Sequence, residues 1–133
     1  MVIRPAATLA ITRDSASELE VLLLQRTWDA VFMPGYWVFP GGALDSADGE
    51  CGPWLDGHDN ASASAMLDVE SGGAAYLVAA LRECFEESGI LLATDQQGKL
   101  LNDGNGEIDR EREDVCRGEI TMADLCRRHH LRL

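Results

Sequence analysis

Four residues on one short stretch have types and spacings suited to chemistry: Arg82, Glu83, Glu86 and Glu87. On a helix, positions three and four apart share a surface, so the three carboxylates lie on neighbouring positions. Like charges at that spacing cost about 0.2–0.5 kcal/mol per pair in an isolated helix. They also fall near the helix end, where the macrodipole disfavours negative charge. Divalent cations offset both penalties, and hard carboxylate oxygens suit Mg²⁺ or Mn²⁺. Arg82, beside Glu83 and four residues before Glu86, is placed to orient a carboxylate by a charged hydrogen bond. Taken alone, such a cluster also reads as an ordinary solvated acidic face.

The elements around the cluster sharpen the reading. Residues 74–88 form the clearest helix, with Ala75, Val78, Ala79, Leu81 and Phe85 supplying an apolar face. Gly89 stops it, and Ile90-Leu91-Leu92 returns to an extended run. Upstream, 6–13 and 20–26 read as two strands of a hairpin, and Trp37-Val38-Phe39 as a short strand stopped by Pro40-Gly41-Gly42. Glycines there let a backbone turn sharply and approach a ligand closely. Between 45 and 73 the chain changes character, rich in Gly, Ala, Ser and Asp, and reads as a surface insertion with a helical turn near 61–67. After a polar loop over 95–106, residues 107–117 and 122–130 predict two short helices, the second capped by Thr121 with Asp124 three residues on.

Arg82-Glu83-Cys84-Phe85-Glu86-Glu87-Ser88-Gly89-Ile90 matches every fixed position in the second half of the Nudix box, and the strand ending in Gly41-Gly42 matches the first. The chain resembles the Nudix hydrolases. Counting six on from Gly42 reaches Asp48 where the family has Glu, and Arg82 arrives about 26 residues late. A box split in this way is similar to the acyl-coenzyme-A diphosphatase subgroup. So are Leu22-Leu23-Leu24-Gln25-Arg26, Phe32-Met33-Pro34-Gly35 and Val38-Phe39-Pro40-Gly41-Gly42-Ala43-Leu44-Asp45. The resemblance implies attack of water on a diphosphate phosphorus, in coenzyme A or its acyl esters. It implies Mg²⁺ or Mn²⁺ held by Glu83, Glu86, Glu87 and the Gly41 carbonyl, with Arg82 orienting the acids and Arg26, Gly41 and Gly42 against the substrate. Which carboxylate, if any, acts as general base stays open. The fold implied is a single α/β/α sandwich with a mixed sheet, spanning 1–133 with an insertion at 45–73. Only one short extended run and two small helices follow the 82–90 segment, so the C-terminal strands and closing helix are expected to be lacking. A homodimer through unpaired sheet edges is the expected consequence.

Composition excludes several alternatives. The net charge is −12, from 23 acidic and 11 basic residues, which repels nucleic-acid phosphates. It equally repels an anionic small molecule unless cations intervene. No apolar run approaches a membrane span, and Met1-Val2-Ile3-Arg4-Pro5 lacks a signal-peptide core. The expectation is a cytoplasmic protein with four reduced cysteines, Cys51, Cys84, Cys116 and Cys126, none in C-x-x-C spacing. Cys126, His129 and His130 share a helix face; a solvated helix end is the reading there, since a metal needs further ligands. Trp28, Phe32 and Tyr36 read as loop packing, with stacking on an adenine as the alternative. Trp54 either anchors the insertion or meets an acyl chain. Two rivals to an enzyme remain: a Nudix scaffold that binds without cutting, and an inactive fragment.

Overall fold

Each extended segment near the N-terminus changes partner half-way along. In the computed structural model, which describes residues 3–101 and 106–133, the strand expected over 6–13 is two short strands, β1 (Ala6–Thr8) and β2 (Thr12–Asp14). The strand expected over 20–26 is likewise β3 (Leu19–Val21) and β4 (Leu24–Gln25). The third segment is β5 (Trp37–Val38) and β6 (Gly41–Ala43). β2 pairs with β3, β4 with β5, and β6 with β1, each ladder antiparallel. Three segments thus pair cyclically, and each break marks where a segment leaves one neighbour for the next. The expected hairpin is the β2–β3 ladder, with Thr12 opposite Val21. β5 ends at Val38, one residue short of the expected strand, the Pro40 carbonyl already accepts from Leu9 N–H, and Gly41 and Gly42 open β6 rather than simply stopping a strand. Glycine is needed there: a Cβ on Gly41 would lie 2.5 Å from the Ala7 carbonyl oxygen of β1.

The stretch read as a surface insertion is folded onto the body. A 3₁₀ helix, Ser46–Trp54, begins with a capping box: the Asp45 side chain accepts from Ala47 N–H and Asp48 accepts from Asp45 N–H. α1 (Asn60–Leu67) follows, with Asp59 and Ser62 forming a second box. α2 (Gly73–Ser88) starts at Gly72, which carries no capping side chain. α1 supplies the caps instead. Ser64 Oγ accepts from Gly73 N–H at 2.9 Å, and Asn60 Oδ1 accepts from Ala74 N–H at 3.4 Å. A Cβ on Gly73 would stand 2.2 Å from Ser64 N, so the two helices meet backbone to backbone.

The core lies on the helical side. Val78, Cys84 and Phe85 of α2 are sealed from solvent, as are Leu125 and Cys126 of α4 (Met122–His129) and Cys51 of the 3₁₀ helix. α3 (Gly106–Cys116) adds Ile108 and Val115. The α4 cap is the expected one, Thr121 with Asp124. Trp54 packs against this core under the Arg127 guanidinium, so it anchors the 3₁₀ helix. The strand side is different: Leu19, Val21, Trp37 and Phe39 present apolar side chains to solvent. Trp28, 78% exposed, lies over Gly35, whose Cβ position is 2.4 Å from the indole ring. The three residues weighed as a metal face diverge: Cys126 is buried, His129 meets the Glu111 carboxylate at 3.1 Å, and His130 is the left-handed cap of α4.

Candidate active site

The ladder between β1 and β6 decides what faces α2. Leu9 N–H donates to the Pro40 carbonyl and Leu44 N–H to the Pro5 carbonyl, which makes Gly42 the inward-bonded residue opposite Ala7. In an antiparallel ladder the alternate residues then turn their polar groups outward. Gly41 N–H accordingly donates to Glu87 Oε2 at 3.0 Å, and the Ala43 carbonyl accepts from Arg82 Nη2 at 2.9 Å. The outer edge of β6 is paired with charged side chains of a helix instead of a strand. The Gly41 carbonyl shares that edge.

Arg82 is the centre of the arrangement. Its Nε and Nη2 donate to the two oxygens of Asp48 at 2.8 and 3.1 Å, a bidentate pair. Its Nη1 donates to Glu83 Oε1 at 3.0 Å and Glu86 Oε1 at 3.1 Å. Burial opposes the guanidinium charge, but the hydrogen bonds to Asp48 and Glu86 outweigh it and raise the pKa above its ordinary value. For Glu83 the balance runs the other way. Burial pushes its carboxyl up, Arg82 pulls it down, and Glu86 and Glu87 push it up again, leaving it above the ordinary carboxylate value. Gly42 gives Glu83 its room, since a Cβ there would fall 2.4–2.6 Å from the carboxylate.

The penalty of placing acids at a helix end is met from outside α2. Arg112 of α3 donates from Nε to the Phe85 carbonyl at 2.9 Å and to the Glu86 carbonyl at 3.0 Å. A cation thus sits on carbonyls in the last turn of α2, where the macrodipole is negative. Gly89 closes the same end in the left-handed conformation, φ +80°, its N–H donating to the Phe85 carbonyl. A cleft of about 300 Å³ opens beside Arg82 and Glu86, walled by Asp45, Arg117 and Thr121.

Arg82, Glu83, Glu86, Glu87, Gly41 and Gly42 are therefore brought together. Arg26 is not joined to them by any hydrogen bond: its Nε donates to the Phe32 carbonyl at 2.8 Å and its N–H to the Tyr36 carbonyl, which ties down the loop between β4 and β5. Asp48 and Arg112 were not among the residues expected at the site. Asp48 had a signal, the six-residue count from Gly42. Arg112 had none, because only the packing of α3 on α2 brings it there. Among the described residues no group of three or more His, Cys, Asp or Glu converges closely enough to hold a metal ion as the side chains stand.

A family model for the NUDIX domain matches residues 3–117. The chain belongs to the Nudix family. Among curated proteins, this Nudix chain is 28% identical to an acyl-coenzyme A diphosphatase, NUDT19, of Xenopus laevis, over a 157-residue alignment covering 94% of the chain and 41% of that protein. It is 37% identical to the putative nudix hydrolase 7 of Caenorhabditis elegans over 71 residues, 53% of the chain and 17% of that protein. The crystal structure of a NUDIX hydrolase from Alicyclobacillus acidocaldarius superimposes with a TM-score of 0.66 at 34% identity, covering 88% of the chain and 50% of its own. The chain spans less than half the length of the curated relatives it matches. The fold is the mixed α/β arrangement of that Nudix structure, as the 82–90 motif implied. Among the described residues no helix is long and apolar enough to cross a membrane.

Proposed function

We propose that this Nudix domain hydrolyses a diphosphate linkage in a nucleoside-diphosphate-linked small molecule, with coenzyme A or an acyl-coenzyme A as substrate. The observation that carries the reading is the Arg82 hub, which holds Glu83 and Glu86 on one face of α2 beside Gly41 and Gly42. The coenzyme A assignment draws on the Xenopus relative and on the split box. Residues 1–133 are read as one domain, with 45–73 inserted into it. A cytoplasmic setting accords with four free thiols. The expected homodimer gains no support and is not part of the proposal.

The donor chemistry fits Mg²⁺ or Mn²⁺. Glu83, Glu86 and Glu87 offer hard oxygens, and the Gly41 carbonyl lies on the same edge. Those four residues would hold the ion, closing from the separated positions they now occupy around Arg82 and Gly41 N–H. Bound there, a divalent cation would neutralise the diphosphate and lower the pKa of the attacking water. The chain's own part is positioning. Arg82, fixed by Asp48 and the Ala43 carbonyl, locks the orientations of Glu83 and Glu86. The glycines admit a phosphate close to the backbone. Water adds to one phosphorus, the bridging P–O bond breaks, and two phosphate monoesters leave. Such a cation would also offset the mismatch between a protein of net charge −12 and an anionic substrate.

The test is to incubate the protein with coenzyme A or acetyl-coenzyme A and Mg²⁺ or Mn²⁺ and to separate the products chromatographically. Release of 3′,5′-ADP with the matching phosphopantetheine is expected, and its loss in Glu86→Gln. Equal rates for wild type, Glu86→Gln and a protein-free blank refute the reading.

A further inference from the structure

Among the described residues that line the cleft beside Glu86, the cations are Arg82 and Arg117. They differ in what they can still bind. A guanidinium carries five N–H donors. Arg82 uses all of them: Nε and Nη2 on Asp48, Nη2 also on the Ala43 carbonyl, and Nη1 on both Glu83 and Glu86. It orients the acids and has no donor left for a ligand.

Arg117 is the reverse case. It lies one residue past α3, just before the left-handed turn at Gly118, φ +68°. Its Nε donates to Glu119 at 3.0 Å and its Nη2 to Asp114. Its Nη1 reaches only Glu113, at 3.5 Å, beyond the range of a good hydrogen bond. Arg117 and these three acids all have a third or more of their side chains in solvent. Ion pairs so placed contribute little and give way to a better acceptor. One cleft therefore holds the acid Glu86, an arginine with donors to spare, and an apolar lining of Val115, Ile120 and Met122.

The proposed reaction, on which this inference rests, gives that arginine a use. Coenzyme A has an uncharged pantetheine end and a nucleotide end that carries a 3′-phosphate. Divalent cations at Glu83, Glu86 and Glu87 would cover the diphosphate and leave the 3′-phosphate without a counter-charge, in a protein of net charge −12. A phosphate with three acceptor oxygens matches the planar fork of a guanidinium. We propose that Arg117 binds the 3′-phosphate of the substrate's nucleotide and so selects 3′-phosphorylated nucleotides over those without that group. The nucleotide end occupies the cleft, and its phosphate takes the place of Glu113 and Glu119 on the Arg117 fork.

The test is calorimetric titration of the full chain in Mg²⁺ with two probes that contain no diphosphate to cut, 3′,5′-ADP and 5′-AMP. The wild type is expected to bind 3′,5′-ADP about tenfold more tightly than 5′-AMP, the worth of one charge-assisted contact. Arg117→Gln is expected to bind the two alike. Arg110→Gln removes the same charge from an exposed position of α3 outside the cleft lining, and is expected to keep the preference. Equal binding of the two probes by the wild type, binding of neither, or a preference that survives in Arg117→Gln overturns the proposal. Loss of the preference in Arg110→Gln also overturns it, since net charge would then be the cause. Hydrolysis of coenzyme A by the same protein tests the reaction separately. A preference that depends on Arg117, with no product released, refutes the reaction and leaves the nucleotide site standing.

Discussion

Replacing Asp48 by alanine tests whether the 3₁₀ helix holds the candidate site or merely lies beside it. Asp48 is 1% exposed and the Arg82 side chain 13% exposed, so their pair is shielded from solvent and salt. Removing one partner of a buried pair strands the other and costs about 3–5 kcal/mol. Arg82 would keep Glu83, Glu86 and the Ala43 carbonyl, which places the expected loss at the lower end, about 3 kcal/mol. Domains of this size have about 5–15 kcal/mol in total, so the variant stays folded but is visibly weakened. With a urea slope of about 2 kcal/mol per molar, the unfolding midpoint falls by about 1.5 M. The assay is urea denaturation followed by circular dichroism, with the slope unchanged. An internal reference is Glu20→Ala, which breaks the exposed pair with Arg13 and is expected to cost under about 1 kcal/mol. A double-mutant cycle adds Arg82→Met: with no cation to hold, loss of Asp48 costs only its capping-box bond from Asp45 N–H, about 1 kcal/mol, which leaves a coupling of about 2 kcal/mol. A cost for Asp48→Ala no larger than that of Glu20→Ala, or coupling indistinguishable from zero, refutes the argument.

The other expectations concern the acids and their surroundings. Gly42→Ala puts a methyl where the Glu83 carboxylate now lies; the side chain swings away, the fold is kept by circular dichroism, and hydrolysis drops by about 10²-fold. Equal turnover in Gly42→Ala would mean that Glu83 is not needed where it stands. Because burial holds the Glu83 carboxyl above its ordinary value of 4.5, the folded chain binds that proton more tightly than the unfolded one. Without divalent ions, stability therefore declines as pH rises from the ordinary value through the raised one. Glu83→Gln should flatten that part of the curve in thermal melts with chelator present, and an unchanged slope would contradict the assignment. Arg112→Met takes the cation off the Phe85 and Glu86 carbonyls, leaving Phe85 with the Gly89 N–H alone, and should cost about 1 kcal/mol in the same urea assay; no change would show that α3 does not support the end of α2.

Local signals in the sequence marked the elements whose stability is local. α2 was legible within a residue at its N-terminal end because its apolar period, its length and Gly89 agree. α4 was legible because Thr121 and Asp124 announce its cap. The strands were legible as extended segments but not as six pieces. Nothing in Ala6-Ala7-Thr8-Leu9-Ala10-Ile11-Thr12-Arg13 marks the point where pairing passes from β6 to β3, since that point is set jointly by the nearby β3 and by β6, which lies more than thirty residues away. In the 45–73 stretch the helical turn expected near 61–67 is α1, but the packing of that stretch was hidden for a related reason. Its glycines and small polar residues look like a loop, yet Asn60 and Ser64 cap α2 and Cys51 enters the core. Their usefulness depends on a partner helix that the local sequence does not name.

The candidate site follows the same rule, and it accounts for the departure at Asp48. The spacing of Glu83, Glu86 and Glu87 was readable because helix geometry alone groups them. The partner of Arg82 was not, because it comes from an element 34 positions earlier, across a split box. An aspartate has a shorter reach than the glutamate the family pattern calls for, so the backbone must bring it closer. The 3₁₀ helix does this: the Asp45–Asp48 capping box fixes the carboxylate at the start of a rigid turn, and Cys51 and Trp54 seat that turn against α4. The residues that lengthen the box are thus the residues that hold Asp48 against Arg82. Shortening the 45–73 stretch while keeping Asp48 should then lower the urea midpoint further than losing Asp48 does, since the α2 caps and Cys51 go with it.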